Sequence, residues 1–178
     1  PFCKYGTIVT FCCQSVNLFL YRRLRDMLYY KKQRNQTGGL PLKNYFSLSM
    51  PVRDINQISA LGLAHCGDAV FELLVRTRLC IQGGKTNYRL HRDTVSLVCA
   101  PAQAQAAQRL LPLLTEQELA VFRRGRNSHP HSTAKNATAA QYAKATGLEA
   151  LFGALYLSGQ TERLAALFDA AMEETNAI

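Results

Sequence analysis

The chain has 178 residues, with 21 Lys and Arg against 12 Asp and Glu and a formal net charge of +9. That length suits one ordinary domain with a real core and leaves little room for a second. A hydrophobic share of 48% with 19% charged residues excludes wholesale disorder, and the positive charge points to a polyanionic partner, either nucleic acid or a membrane surface.

The charge is unevenly placed. Residues 1–50 hold eight basic side chains, one acid (Asp26) and no alanine, a net of +7. Residues 51–178 hold 22 alanines and a net of only +2. The first segment shows no helical apolar period. Its longest apolar run, residues 8–21, is broken by Gln14, Ser15 and Asn17, too short and too polar to span a bilayer. No small-residue cleavage site follows it, and serine is sparse for an organellar transit peptide. The preferred reading sets residues 1–50 apart as a basic extension and starts the working domain near Met50, with residues 51–178 as the catalytic domain. A flexible RNA-binding arm is the alternative for residues 1–50. Cys66, Cys80 and Cys99 stand singly in apolar stretches without metal-ligand spacing, as expected of free buried thiols in a reducing cytoplasm.

The remaining chain reads as helix throughout. Leu61–Ile81 is a long apolar stretch closed by Gly83-Gly84, a plausible helix stop. Tyr88–Val98 follows as a short amphipathic helix. Pro101 opens an Ala/Gln-rich helix to Leu111. Thr115 and Glu118 form a capping box for a helix to about Arg124. A polar loop spans Gly125–Asn136. Helices are then predicted over Thr138–Ala145, Leu148–Leu157 and Thr161–Glu174, with Gly159 as a stop. No period-2 run is long enough for a sheet. The expected fold is all-α with about seven helices.

Two acids stand out. Leu148, Leu151, Phe152, Leu155 and Tyr156 form a core stripe, and Ala150, Gly153 and Ala154 are small enough for close helix approach. Glu149 is the only charge in that segment. Asp68 has uncharged neighbours except His65. A buried unpaired carboxylate costs several kcal/mol, so a divalent cation such as Mg²⁺ or Mn²⁺ could serve both acids if the helices pack together. Solvated helix-edge acids or unrelated ion pairs remain the alternative. Glu72 could join from one turn on, although an i,i+4 pair with Arg76 explains it as well. Arg123, Arg124, Arg126 and Asn127, continuing to Lys135 and Asn136, offer donors for phosphate and 2′-hydroxyl groups. Any solvated basic loop would look similar. A metal pair at His129 and His131 lacks a third ligand nearby.

Leu63-Ala-His-Cys-Gly-Asp68-Ala-Val-Phe-Glu72, Arg123-Arg-Gly-Arg-Asn127 and Leu148-Glu149-Ala-Leu-Phe-Gly-Ala-Leu-Tyr-Leu157 together resemble Mini-ribonuclease III, the short bacterial branch of the ribonuclease III family. The resemblance spans roughly residues 53–174. It implies an all-helical, Mg²⁺-dependent endonuclease domain that acts as a cytoplasmic homodimer on double-stranded RNA, with Mn²⁺ as a possible substitute. It also implies trimming of the ends of the large-subunit ribosomal RNA precursor, leaving 5′-phosphates, without membrane association. Asp68 and Glu149 match the family's catalytic, metal-holding acids. Two further acids of the larger ribonuclease III enzymes are replaced here by Ala64 and Thr146, departures shared by the short branch. The alternative function is a catalytically idle module of the same fold that binds RNA or the ribosome.

Overall fold

The computed structural model describes Tyr45, residues 47–128 and residues 137–173. The chain divides into two units, Pro1–Lys43 and Asn44–Ile178, and every described residue belongs to the second. The basic extension, His129–Asn136 and the expected helix end at Glu174 lie outside the described residues.

Among the described residues there are seven α-helices and no strand: α1 (Val52–Gln57), α2 (Ala60–Gln82), α3 (Asn87–Val98), α4 (Ala100–Leu110), α5 (Glu116–Arg126), α6 (Ala139–Leu157) and α7 (Thr161–Met172). A 3₁₀ turn, Leu111–Leu113, follows α4. None of these helices is long and apolar enough to cross a membrane. The expected number of helices holds, but through two differences that offset. α1 has fewer than two turns and buries only Ile55, too little apolar pattern to read. Thr138–Ala145 and Leu148–Leu157, expected as separate helices, form one continuous α6.

The reason for that continuity lies in packing between helices. Gly147 costs the helix about 1 kcal/mol relative to alanine. In return the ring of Phe122 packs against it, where an added Cβ would stand 2.8 Å from Phe122 Cε2. Packing outweighs propensity there.

Helix ends follow the residues that can satisfy them. Ser59 accepts from Gly62 N at 3.0 Å to start α2. Gly83, at φ 67°, ends α2 in the left-handed region where a side chain would strain. Pro101 lies in the first turn of α4. The Thr115–Glu118 capping box forms as expected, and a second one, Thr138–Gln141, starts α6.

α2 and α6 make the most extensive helix–helix contact. Phe71 of α2 meets Phe152 of α6 and Phe168 of α7 edge-on, with centroids 5.3 Å and 5.8 Å apart. Residues just before α1 pack on this unit too. Leu48 is buried, Met50 N donates to Leu157 O at 2.9 Å, and the Tyr156 hydroxyl donates to the Tyr45 carbonyl. The compact unit thus starts at Asn44, ahead of Met50. All three described cysteines are free, but only Cys66 is partly buried; Cys80 and Cys99, expected inside, are exposed.

Candidate active site

The site is built on a backbone-to-backbone contact. At Gly67 of α2 an added Cβ would lie 1.7 Å from the Glu149 carbonyl oxygen of α6. At Gly153 of α6 it would lie 2.1 Å from the Leu63 carbonyl oxygen of α2. Only glycine fits either place, so the two helices touch reciprocally. Asp68 follows the first glycine, and Glu149 is the residue whose carbonyl meets it. The close approach therefore fixes both acid-bearing backbones together, as the core stripe and small residues of 148–157 led one to expect.

The two carboxyls sit in protein that disfavours their charge. Burial pushes Glu149 up to about 8, and the nearby Asp68 carboxylate pushes it the same way. Asp68 keeps one side open to solvent, yet the atoms packed around its carboxyl, and next the charge of Glu72, raise its pKa as well. His65 acts weakly in the opposite direction. Among the described residues neither acid has an ion-pair partner. The one polar group pulling both values down is the Gln103 side-chain amide.

The neighbouring candidates are accounted for. Glu72 makes the i,i+4 pair: Arg76 Nε donates to its Oε1 at 2.7 Å and Nη2 at 2.5 Å. It still lies near enough to raise Asp68. Ala64 and Thr146 are buried, and the Thr146 hydroxyl donates to Tyr142 O at 3.1 Å. Neither supplies a third acid. Among the described residues no three His, Cys, Asp or Glu side chains gather as a metal cluster. The donor set is still suited to a hard divalent cation: two unpaired carboxylates that repel each other, with most of the coordination left to water, as Mg²⁺ tolerates.

Three arginines end α5, and they divide. Arg123, Arg126 and Asn127 are exposed, with Arg126 Nε donating to Asn127 Oδ1 at 3.2 Å. Arg124, expected beside them as an RNA contact, turns inward instead. Its guanidinium donates to Asn56 O at 3.2 Å and Ile58 O at 3.3 Å, closing the end of α1. Lys135 and Asn136 lie outside the described residues. The sequence reading missed Gln103, although Gln103, Ala106, Ala107 and Leu110 fall at i, i+3, i+4 and i+7 and are all buried. That phase would have placed a glutamine on the core face. The reading also passed over Gly67, which sits beside Asp68 in the signature stretch.

An all-helical domain with two facing, unpaired acids on its central helices is consistent with a phosphodiester hydrolase. The Ribonuclease III domain family matches residues 61–160. A Mini-ribonuclease 3 of Symbiobacterium thermophilum is 49% identical over 113 residues, covering 64% of this chain and 87% of that protein. A Mini-ribonuclease 3 of Enterococcus faecalis is 42% identical over 120 residues, covering 66% and 91%. A crystal structure of a Fusobacterium nucleatum protein superposes with a TM-score of 0.60 at 29% identity, covering 65% of this chain and 93% of that one. The chain belongs to the ribonuclease III family, and within it to the Mini-ribonuclease III branch. It is an endoribonuclease, of a family that acts on double-stranded RNA and generally depends on a divalent metal.

Proposed function

We propose that this endoribonuclease cuts double-stranded RNA by cation-assisted hydrolysis, with Asp68 and Glu149 holding Mg²⁺, for which Mn²⁺ can substitute. The observation that carries the reading is the pair of unpaired acids fixed at the α2–α6 glycine contact. Two carboxyls held this close, each pushed toward its neutral form, are destabilised as a charged pair unless a cation offsets them. When bound, the divalent cation supplies charge neutralisation at the scissile phosphate and an activated water. The protein's part is to hold the two carboxyls at fixed spacing, where the charge of a bound cation would favour their ionised forms. Each chain of a homodimer contributes one acid pair, one per RNA strand, and the products carry 5′-phosphates. Arg123, Arg126 and Asn127, with Lys135 and Asn136, meet the phosphates and 2′-hydroxyls of the A-form duplex. The large-subunit ribosomal RNA precursor, trimmed at its ends in the cytoplasm, is the natural substrate that the family resemblance suggests. A catalytically idle module would have no use for the two costly acids.

The test is a Mg²⁺-dependent cleavage assay on duplex against single-stranded RNA. Asp68→Asn is expected to abolish cleavage while RNA affinity and helical circular dichroism stay unchanged. A variant that cuts the duplex at the parent rate would overturn the assignment.

A further inference from the structure

Among the described residues Gln103 is the most completely buried polar residue, at 1% exposure. It stands in the first turns of α4, which packs on α6. Its Nε2 is sealed from solvent and meets no acceptor in hydrogen-bond geometry. A buried amide donor left in this way costs about 1–3 kcal/mol. A leucine or methionine would pack there without that cost, since Ala106, Ala107 and Leu110 share its helix face. The fold alone gives no reason for a glutamine.

The surroundings give one. The amide lies close to the side chains of both Asp68 and Glu149. It comes from a third helix, so it can act on both carboxyls without belonging to either backbone. We propose that Gln103 is a positioning residue of the active site: its buried carboxamide, left without an acceptor in the metal-free protein, is poised to hold the Asp68 and Glu149 carboxylates as they receive a divalent cation. This rests on the reading of Asp68 and Glu149 as the cation-holding pair. A group that orients a metal's ligands commonly contributes 10- to 100-fold to metal affinity.

The experiment uses the full chain and the bare metal. Mn²⁺ affinity is measured by electron paramagnetic resonance, and metal-free melting temperature by circular dichroism. The proteins are the parent, Gln103→Met, Gln103→Leu, Asp68→Asn and Glu149→Gln. Both Gln103 variants should lose Mn²⁺ affinity by about tenfold or more, while their metal-free melting temperatures equal or exceed the parent's. A residue that only packs could not give that combination. Mn²⁺ affinity within twofold of the parent for the Gln103 variants, with loss in Asp68→Asn and Glu149→Gln, would overturn the positioning role and leave the acid pair intact. A fall in metal-free melting temperature in both Gln103 variants would reduce Gln103 to a packing residue. Parent-like affinity in Asp68→Asn and Glu149→Gln would instead show that the underlying site reading is wrong.

Discussion

Glu118 and Glu149 are acids of one helical domain, and their surroundings act on them in opposite directions. Glu118 receives Arg163 through Nε at 2.8 Å and Nη2 at 2.9 Å, and the Thr115 backbone N–H at 2.8 Å. Arg163 first, and the Thr115 donors with it, hold its carboxyl below the usual glutamate range. Glu149 has no ion-pair partner among the described residues, and burial lifts it to about 8. The capping acid is supplied with donors by the fold. The other acid is left short of them, as expected of a carboxyl that the proposed cation would satisfy rather than of a structural ion pair.

Replacing each glutamate by glutamine should separate the two roles most widely. Glu149→Gln is expected to lower cleavage by about a thousandfold, comparable to removing one preorganised electrostatic group from a transition state, and to raise the metal-free melting temperature. Glu118→Gln should leave cleavage within about twofold and cost about 1–3 kcal/mol of stability. The pH dependence differs in sign. Glu149 binds its proton more tightly folded than unfolded, so the metal-free protein should lose stability as pH rises from about 4.5 to about 8. Glu118 binds its proton less tightly when folded, so its contribution should be lost as pH falls below the ordinary glutamate value. Urea melts from pH 4 to pH 9 check both. A Glu149→Gln protein that keeps the parent's falling slope would mean that Glu149 is not the group titrating there.

The next largest effect concerns what holds Asp68 and Glu149 side by side. Gly67→Ala places a methyl 1.7 Å from the Glu149 carbonyl oxygen, against backbone that cannot rotate away. Overpacking of this kind costs about 3 kcal/mol or more. Because the helices must part at the point where both acids are attached, cleavage at a temperature where the variant stays folded should fall more than the loss of folded protein explains. Cleavage per folded molecule equal to the parent's would show that the glycine contact serves stability alone.

Much of this was legible in the sequence, for physical reasons. Helix starts were readable where one side chain does the capping, as at Thr115, and stops where glycine takes a positive φ, as at Gly83. Asp68 and Glu149 were visible because a charge inside an apolar stripe is anomalous in itself. The α2–α6 approach was half visible: Gly153 was read as a contact residue, while its counterpart Gly67 was not. α1 escaped because six residues with one buried side chain carry no measurable period. The unity of α6 escaped because Phe122, which accommodates Gly147, belongs to another helix. Gln103 was hidden in a run whose alternating Ala and Gln explain themselves as helix formers.

The arginines ending α5 give the smallest contrast, and there the sequence could not distinguish neighbours. Arg123 and Arg124 are adjacent and chemically identical, but a helix turns about 100° per residue, so one faces outward and the other reaches α1. Arg124 closes two carbonyls at the end of a helix too short to cap itself, and one buried nitrogen, Nε, has no partner. Arg124→Ala should therefore cost about 1–2 kcal/mol of stability and leave the salt dependence of RNA binding as it was. Arg123→Ala should change stability by less than about 0.5 kcal/mol and make the plot of log affinity against log salt shallower by about one unit, the signature of one lost phosphate contact. Chemical denaturation and a salt titration of duplex RNA binding measure both quantities. If Arg124→Ala altered the salt slope and Arg123→Ala did not, the RNA would have to approach from the α1 side of the domain, and the acid pair would need a different path to the phosphate.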